Sequence, residues 1–276
     1  MTSRLFLIIG ISAAVIPAAV AVALSERAAT LYTEVLQPGI LLLSCPLAVW
    51  VARMYRKDLR WAFIFLSVFL LSYGFANITP LTDKMAATLG GNFLTVLWIW
   101  QVFTYLMLLL ACLSILRAIG LKRLHAWALL VMALTLLLAA GIIANGLGSF
   151  SEQFKVLPRG AMLLLLIRVF DALVLLMLVP VLLLYVQNAR AKYQESSTFS
   201  VIVLSIIASL VFVYVYEVVK GASITQIATV EFHKGSVLDG LYIFLYLTIA
   251  VGLYAHRKHQ DWSLKQLDQV LAVGGG

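Results

Sequence analysis

The chain has 276 residues, of which 63% are hydrophobic and only 12% charged, with a mean hydropathy of +1.03. A soluble domain carries about 25% charged residues, so this composition excludes an ordinary soluble fold. The net charge of +8 is spread over short loops rather than gathered on one domain, which argues against a nucleic-acid-binding face.

A hydrocarbon core about 30 Å thick needs roughly 20 apolar residues per helical crossing. Eight stretches meet that need, at 5–24, 35–55, 61–81, 93–116, 124–146, 162–187, 199–219 and 238–256. Backbone groups in lipid must be satisfied within the span, so each is predicted to be a helix. Continuous Leu/Ile/Val/Phe runs exclude a β-barrel, which would show short alternating segments. The predicted fold is all-α, a transmembrane bundle of eight helices over residues 1–259, with a cytoplasmic amphipathic tail over 260–276.

Span 1 follows Arg4 and ends in Ala21-Val22-Ala23 before Leu24-Ser25, which also fits a cleavable signal peptide. The run is long for a signal segment, and Gly10, Ala14, Ala18 and Ala19 suit close helix packing, so a retained helix is expected. Basic residues then alternate with the spans. Arg53, Arg56, Lys57 and Arg60 lie between spans 2 and 3, and Arg117, Lys122 and Arg123 between spans 4 and 5. Arg190 and Lys192 follow span 6, and Arg257, Lys258 and Lys265 follow span 8. This asymmetry places both termini in the cytoplasm of a cell membrane, where the basic loops would meet anionic headgroups. The intervening outer segments 25–34, 82–92 and 147–161 are expected to be polar loops, with a longer outer loop over 220–237. Pro17, Pro46 and Pro180 inside spans, and Pro38 near the start of span 2, mark expected bends. Trp262, Leu264, Leu267 and Leu271 share one face of the tail, which reads as an interfacial helix.

Polar side chains inside a bilayer are costly and so are the first candidates for function. Arg168 and Asp171 lie three apart in span 6, on one helix face. Tyr214 and Glu217 stand near the outer end of span 7, Tyr73 and Asn77 at a similar depth in span 3, and Gln101 and Tyr105 in span 4. Asp239 and Tyr242 open span 8. Together these residues predict a polar, aromatic-lined cavity in the outer half of the bilayer. The same residues also fit a structural network in which Arg168 pairs with Asp171 or Glu217. The alternation of charge alone leaves both readings open.

Metal and covalent chemistry find little support. His125, His233, His256 and His259 avoid the middle of the spans, and His256 with His259 reads as a solvated cytoplasmic face. Cys45 and Cys112 lack CxxC spacing and are expected to be free. No phosphate-binding, dinucleotide-binding or zinc-protease motif occurs, so no cofactor and no metal is implied.

Two stretches resemble a known family. Arg60-Trp61-Ala62-Phe63 leading to Leu71-Ser72-Tyr73-Gly74, and Ser236-Val237-Leu238-Asp239-Gly240-Leu241-Tyr242 with Tyr246 and Gly252-Leu253-Tyr254, resemble spans of prokaryotic multi-pass transmembrane sensory input modules. Those modules precede histidine kinase or diguanylate cyclase output domains. No output domain follows span 8 here, so the resemblance implies a stand-alone module that signals through a partner. The function expected is non-enzymatic binding of an apolar or amphipathic ligand, or of a membrane protein partner, with membrane lipids as surroundings. A small-solute or proton-coupled transporter and an accessory subunit of a larger membrane complex are the alternatives.

Overall fold

A computed structural model describes residues 26–119, 125–156, 158–189, 202–211 and 242–258. They form α1 (Glu26–Ala52), α2 (Lys57–Ala76), α3 (Thr79–Leu89), a 3-10 turn (Gly90–Asn92), α4 (Phe93–Ile119), α5 (Ala126–Val156) and α6 (Pro158–Ala189). Two further helical stretches follow, α7 (Ile202–Val211) and α8 over 242–258. The fold is all-α. Five helices among the described residues are long and apolar enough to cross a membrane: Glu34–Ala52, Lys57–Ala76, Thr95–Ala118, Ala126–Gly148 and Pro158–Leu184. They correspond to the expected spans 2 to 6, while α7 and α8 fall on spans 7 and 8. Span 1, the loop 220–237 and the tail 260–276 lie outside the described residues.

Where they are described, the three expected outer loops are helical instead, each for a local reason. α1 begins at Glu26, because Glu26-Arg27-Ala28-Ala29 are helix-compatible and no breaker precedes Pro38. Segment 82–92 carries α3, started by Pro80 in its first turn and ended by Gly90 at φ 51, a conformation that favours glycine. α5 runs on to Val156, with Phe150 and Phe154 paired one turn apart (ring centroids 5.2 Å), and α6 starts immediately beyond at Pro158. Polar composition lowers hydropathy without breaking a helix. α1 also runs through Pro38 and Pro46, and α6 through Pro180, without interruption.

Neighbouring helices alternate in direction, so one end of the bundle carries α3 and the other carries the basic turn 53–56. In space the order is α1, α2, α4, α6, α5, because α4 packs on α6 rather than on its sequence neighbour α5. α7 wedges into this row: Ile202, Val203, Ser205, Ile206 and Ile207 are buried, and Leu204 is exposed. α8 runs from the α3 end, where Tyr246 meets Tyr73, to the basic end, where His256 meets Tyr55. The core joins Leu41, Val51, Phe63, Leu70, Leu175, Leu178, Ile202, Ile243 and Leu253. Among the described helices α5 stands at the margin, with Leu129, Leu130, Leu134, Leu136 and Leu137 exposed.

Glycines permit the closest approaches. A Cβ on Gly252 of α8 would lie 2.7 Å from Cγ1 of Ile202 on α7, and one on Gly74 of α2 would lie 3.1 Å from Cδ2 of Leu42 on α1. Hydroxyls within the helices back-bond to carbonyls one turn earlier: Ser44 to Ile40, Thr104 to Trp100, Thr135 to Val131 and Thr248 to Phe244. Between helices, Trp100 Nε1 donates to Ser72 Oγ at 2.8 Å, and that hydroxyl meets Thr104 Oγ1 at 2.5 Å, tying α2 to α4.

Candidate functional site

α6 carries two charges well inside its apolar stretch, Arg168 and Asp171. Because it starts at Pro158, four residues earlier than expected, Arg168 and Asp171 lie about 15 and 20 Å from its N-terminal end at 1.5 Å per residue. Asp171 is therefore at the centre of the apolar stretch Pro158–Leu184, deeper than the sequence suggested. The two side chains form an ion pair at 3.5 Å, with only 12% and 8% of the side-chain surfaces exposed. Among the described residues, Asp171 one turn away is an ion-pair partner of Arg168. Glu217 lies outside the described residues, as do Tyr214 and Asp239.

The neighbouring helices shape the space around this pair. Gly146 of α5 faces the Arg168 stem, where a Cβ would come within 3.1 Å of Arg168 Cγ. Tyr105 of α4 stacks on Phe170 (5.6 Å between centroids, 9° between planes), which carries its hydroxyl toward Asp171. On the adjoining helix α2, Phe69 and Tyr73 stack at 5.5 Å. Tyr246 of α8 meets Tyr73 edge-on, its hydroxyl donating to the Tyr73 hydroxyl at 3.3 Å, and Tyr242 leans against Tyr246 at 6.2 Å.

These walls enclose a cavity of about 260 Å³ between α1, α2, α4, α6, α7 and α8. Four tyrosines, Phe69, Ser209 and the Arg168–Asp171 pair line it, and the rest of its lining is aliphatic, from Leu41, Leu108, Ile206 and Ile249 among others. For scale, an engineered apolar cavity of about 150 Å³ accepts benzene. Among the described residues, neither Cys nor His lines it.

Five of the residues singled out from the sequence meet here: Tyr73, Tyr105, Arg168, Asp171 and Tyr242. Two described ones do not. Asn77 lies one turn past Tyr73, and its Nδ2 donates to the Tyr73 carbonyl at 2.8 Å, closing the end of α2. Gln101 sits one turn before Tyr105 on α4, on the α3 side of the cavity and outside its lining. Tyr246, Phe69 and Ser209 were missed. The i,i+4 pairs Tyr242/Tyr246 and Phe69/Tyr73 were the available signal, since residues so spaced share a helix face.

A second polar cluster stands at the basic end and corrects the reading of His256 as solvated. Its surface is only 3% exposed, its Nε2 meets the Tyr55 hydroxyl at 2.5 Å, and Tyr55, Phe63 and His256 stack mutually at 5.5–5.9 Å. The α8 end folds back on the α1–α2 turn, so a histidine that the sequence leaves at a loop edge is covered. The next residue, Arg257, donates to the Trp50 carbonyl at 3.2 Å and lies 5.0 Å over its ring. Cys45 and Cys112 are free, with Cys45 Sγ 3.4 Å from Ser67 Oγ.

The chain matches no protein-family model, no curated protein and no solved structure. Its class rests on its own architecture: an all-α chain with five helices long and apolar enough to cross a membrane, as in a multi-pass membrane protein. A charge-paired, tyrosine-lined cavity lies inside it.

Proposed function

We propose that the chain is a non-enzymatic, sensor-like membrane module that binds an apolar or amphipathic ligand in the cavity between α2, α4, α6 and α8. The observation that carries this reading is the cavity itself. Most sites for small molecules are apolar concavities with a few convergent polar groups, and this one combines aliphatic walls with four phenols and one ion pair. The reading includes an eight-span bundle in a cell membrane with both ends cytoplasmic. It is supported by the alternating helix directions and by the basic residues gathered where α8 ends. The resemblance to sensory input modules fits a signal passed to a membrane partner through α8, which lines the cavity with Tyr246 and reaches the basic end with His256.

The test is extraction of small molecules from protein purified in mild detergent, followed by mass spectrometry, for the wild type and for Ser209→Trp, which fills the cavity. An apolar species recovered from the wild type and lost from the variant supports the reading. Equal recovery from both, or none from either, overturns it.

Transport is the second reading, and one observation favours it: the Arg168–Asp171 pair stands at the centre of an apolar span, where carriers bind substrates and coupling ions. Proton flux into proteoliposomes that disappears in the Arg168→Leu, Asp171→Leu double variant would select it over ligand sensing.

A further inference from the structure

We infer that the cavity takes a neutral, planar, apolar molecule with a carbonyl-type hydrogen-bond acceptor, of the quinone kind. This rests on the ligand-binding reading above and narrows it to a chemical class.

Neutrality follows from the charge balance. Among the described residues that line the cavity, the only charges are Arg168 and Asp171, which face each other at 3.5 Å with both side chains largely withdrawn from solvent. An anionic ligand would have to compete with Asp171 for Arg168, and a cationic one with Arg168 for Asp171. Either would leave a displaced charge in a low-dielectric interior, where unpaired charges are strongly disfavoured. A neutral molecule leaves the pair intact.

Planarity follows from the walls. Phe69 and Tyr73 are nearly parallel (11°) on α2, and Tyr105 of the adjoining α4 is held flat against Phe170, so aromatic rings line the cavity from two helices. Rings prefer offset-stacked or edge-on partners at 4.5–7 Å, so these walls favour a ring over a branched chain.

The acceptor follows from counting protons. Tyr73 and Tyr246 each own one hydroxyl proton, and the single bond between them, at 3.3 Å, uses one. Tyr246 donates, so the Tyr73 proton is the one left to give, with the Asn77 side chain beside it and the cavity in front of it as the places it can go; both phenols line the cavity. A buried hydroxyl without an acceptor is costly. A carbonyl oxygen meets that demand and introduces no charge. The cavity volume of about 260 Å³ suits a single substituted ring.

Equilibrium dialysis against the protein in lipid nanodiscs, with empty nanodiscs as the blank, tests this with three probes of one size. Duroquinone is planar, neutral, carries two carbonyls and has no open position for thiol addition. Durene is the same ring without carbonyls. 2,4,6-Trimethylbenzoate is an anion of similar bulk. The expected result is duroquinone binding about tenfold tighter than durene, the value of one satisfied hydrogen bond, and no saturable benzoate binding. The Tyr73→Phe, Tyr246→Phe double variant keeps both rings and removes both protons of this pair, and should lose most of the preference for duroquinone over durene. The double variant is the informative one, because either single change leaves the other phenol its proton. Circular dichroism checks that it keeps its helicity. Durene equal to duroquinone on the wild type, or an unchanged preference in the double variant, overturns the acceptor assignment and leaves the ligand-binding reading standing. Tighter binding of benzoate overturns neutrality alone. Failure of all three probes to bind the wild type overturns this inference, and the ligand-binding reading then stands or falls on the extraction experiment.

Discussion

The hydroxyl of Tyr55 and Nε2 of His256 meet at 2.5 Å across 201 positions of sequence, and this contact clamps the end of α8 to the turn between α1 and α2. Because α8 also lines the cavity, the clamp fixes one end of a helix whose other end forms a cavity wall. Removing one partner of a buried hydrogen bond typically costs about 1–3 kcal/mol. Tyr55→Phe, which keeps the stacked ring, should therefore lower thermal stability in detergent. A double-mutant cycle with His256→Phe should show a coupling of roughly 0.5–3 kcal/mol. A coupling of zero would mean the two side chains do not hold each other.

The ion pair of α6 makes a sharper prediction. Asp171→Leu leaves the Arg168 guanidinium in the bundle without its nearest carboxylate, and breaking a buried pair from one side costs about 3–5 kcal/mol. The Arg168→Leu, Asp171→Leu double variant should recover much of that loss, measured by unfolding in detergent. Recovered stability with lost ligand or proton handling would mark the pair as part of a working site. Recovery of both would mark it as structural. If Asp171→Leu unfolds at the wild-type temperature, the pair contributes nothing.

Glycines separate by what faces them. A Cβ at Gly252 would lie 2.7 Å from the buried Ile202 side chain, whereas one at Gly148 meets nothing within 4 Å. Gly252→Ala should destabilise by about 1–3 kcal/mol through overpacking. Gly148→Ala should be neutral or stabilise by up to about 1 kcal/mol through helix propensity. Thermal unfolding of the two variants side by side checks the α7–α8 contact, and equal effects would argue that these helices do not approach as described.

Topology has its own test. Lys84 on α3 and Arg56 in the turn before α2 are both exposed and stand at opposite ends of the bundle. In a background without Cys45 and Cys112, Lys84→Cys should react with a membrane-impermeant maleimide on intact cells. Arg56→Cys should react only after permeabilisation. The reverse pattern would invert the proposed orientation, and labelling of both on intact cells would remove the membrane crossing of α2.

Much of the site was readable along the chain. Tyr73, Tyr105, Arg168, Asp171 and Tyr242 each interrupt an apolar run, and polar groups in such runs are rare enough to stand out. Tyr246 and Phe69 did not stand out, because aromatic residues are common in spans and their role comes from the helix placed opposite. Asn77 and Gln101 looked equivalent to their neighbours one turn away. The cavity ends between those turns, and only the packing of α2 on α4 shows where.

Hydropathy by itself committed this chain to helices crossing a membrane, since a backbone in hydrocarbon has no other way to satisfy its own hydrogen bonds over 20 residues. It also set the alternation of basic ends, because charge placement is local to each loop. Local sequence could not say that α6 packs between α4 and α5, that α1, α5 and α3 extend through expected loops, or that His256 is covered. Those outcomes depend on side chains far apart in the chain meeting in one place. Gly252 admits Ile202, Gly146 admits the Arg168 stem, and Tyr246 finds Tyr73. Lipid offers each helix apolar surroundings as good as its neighbours do, so which faces meet is decided by the close fit of small residues and the pairing of the few polar ones.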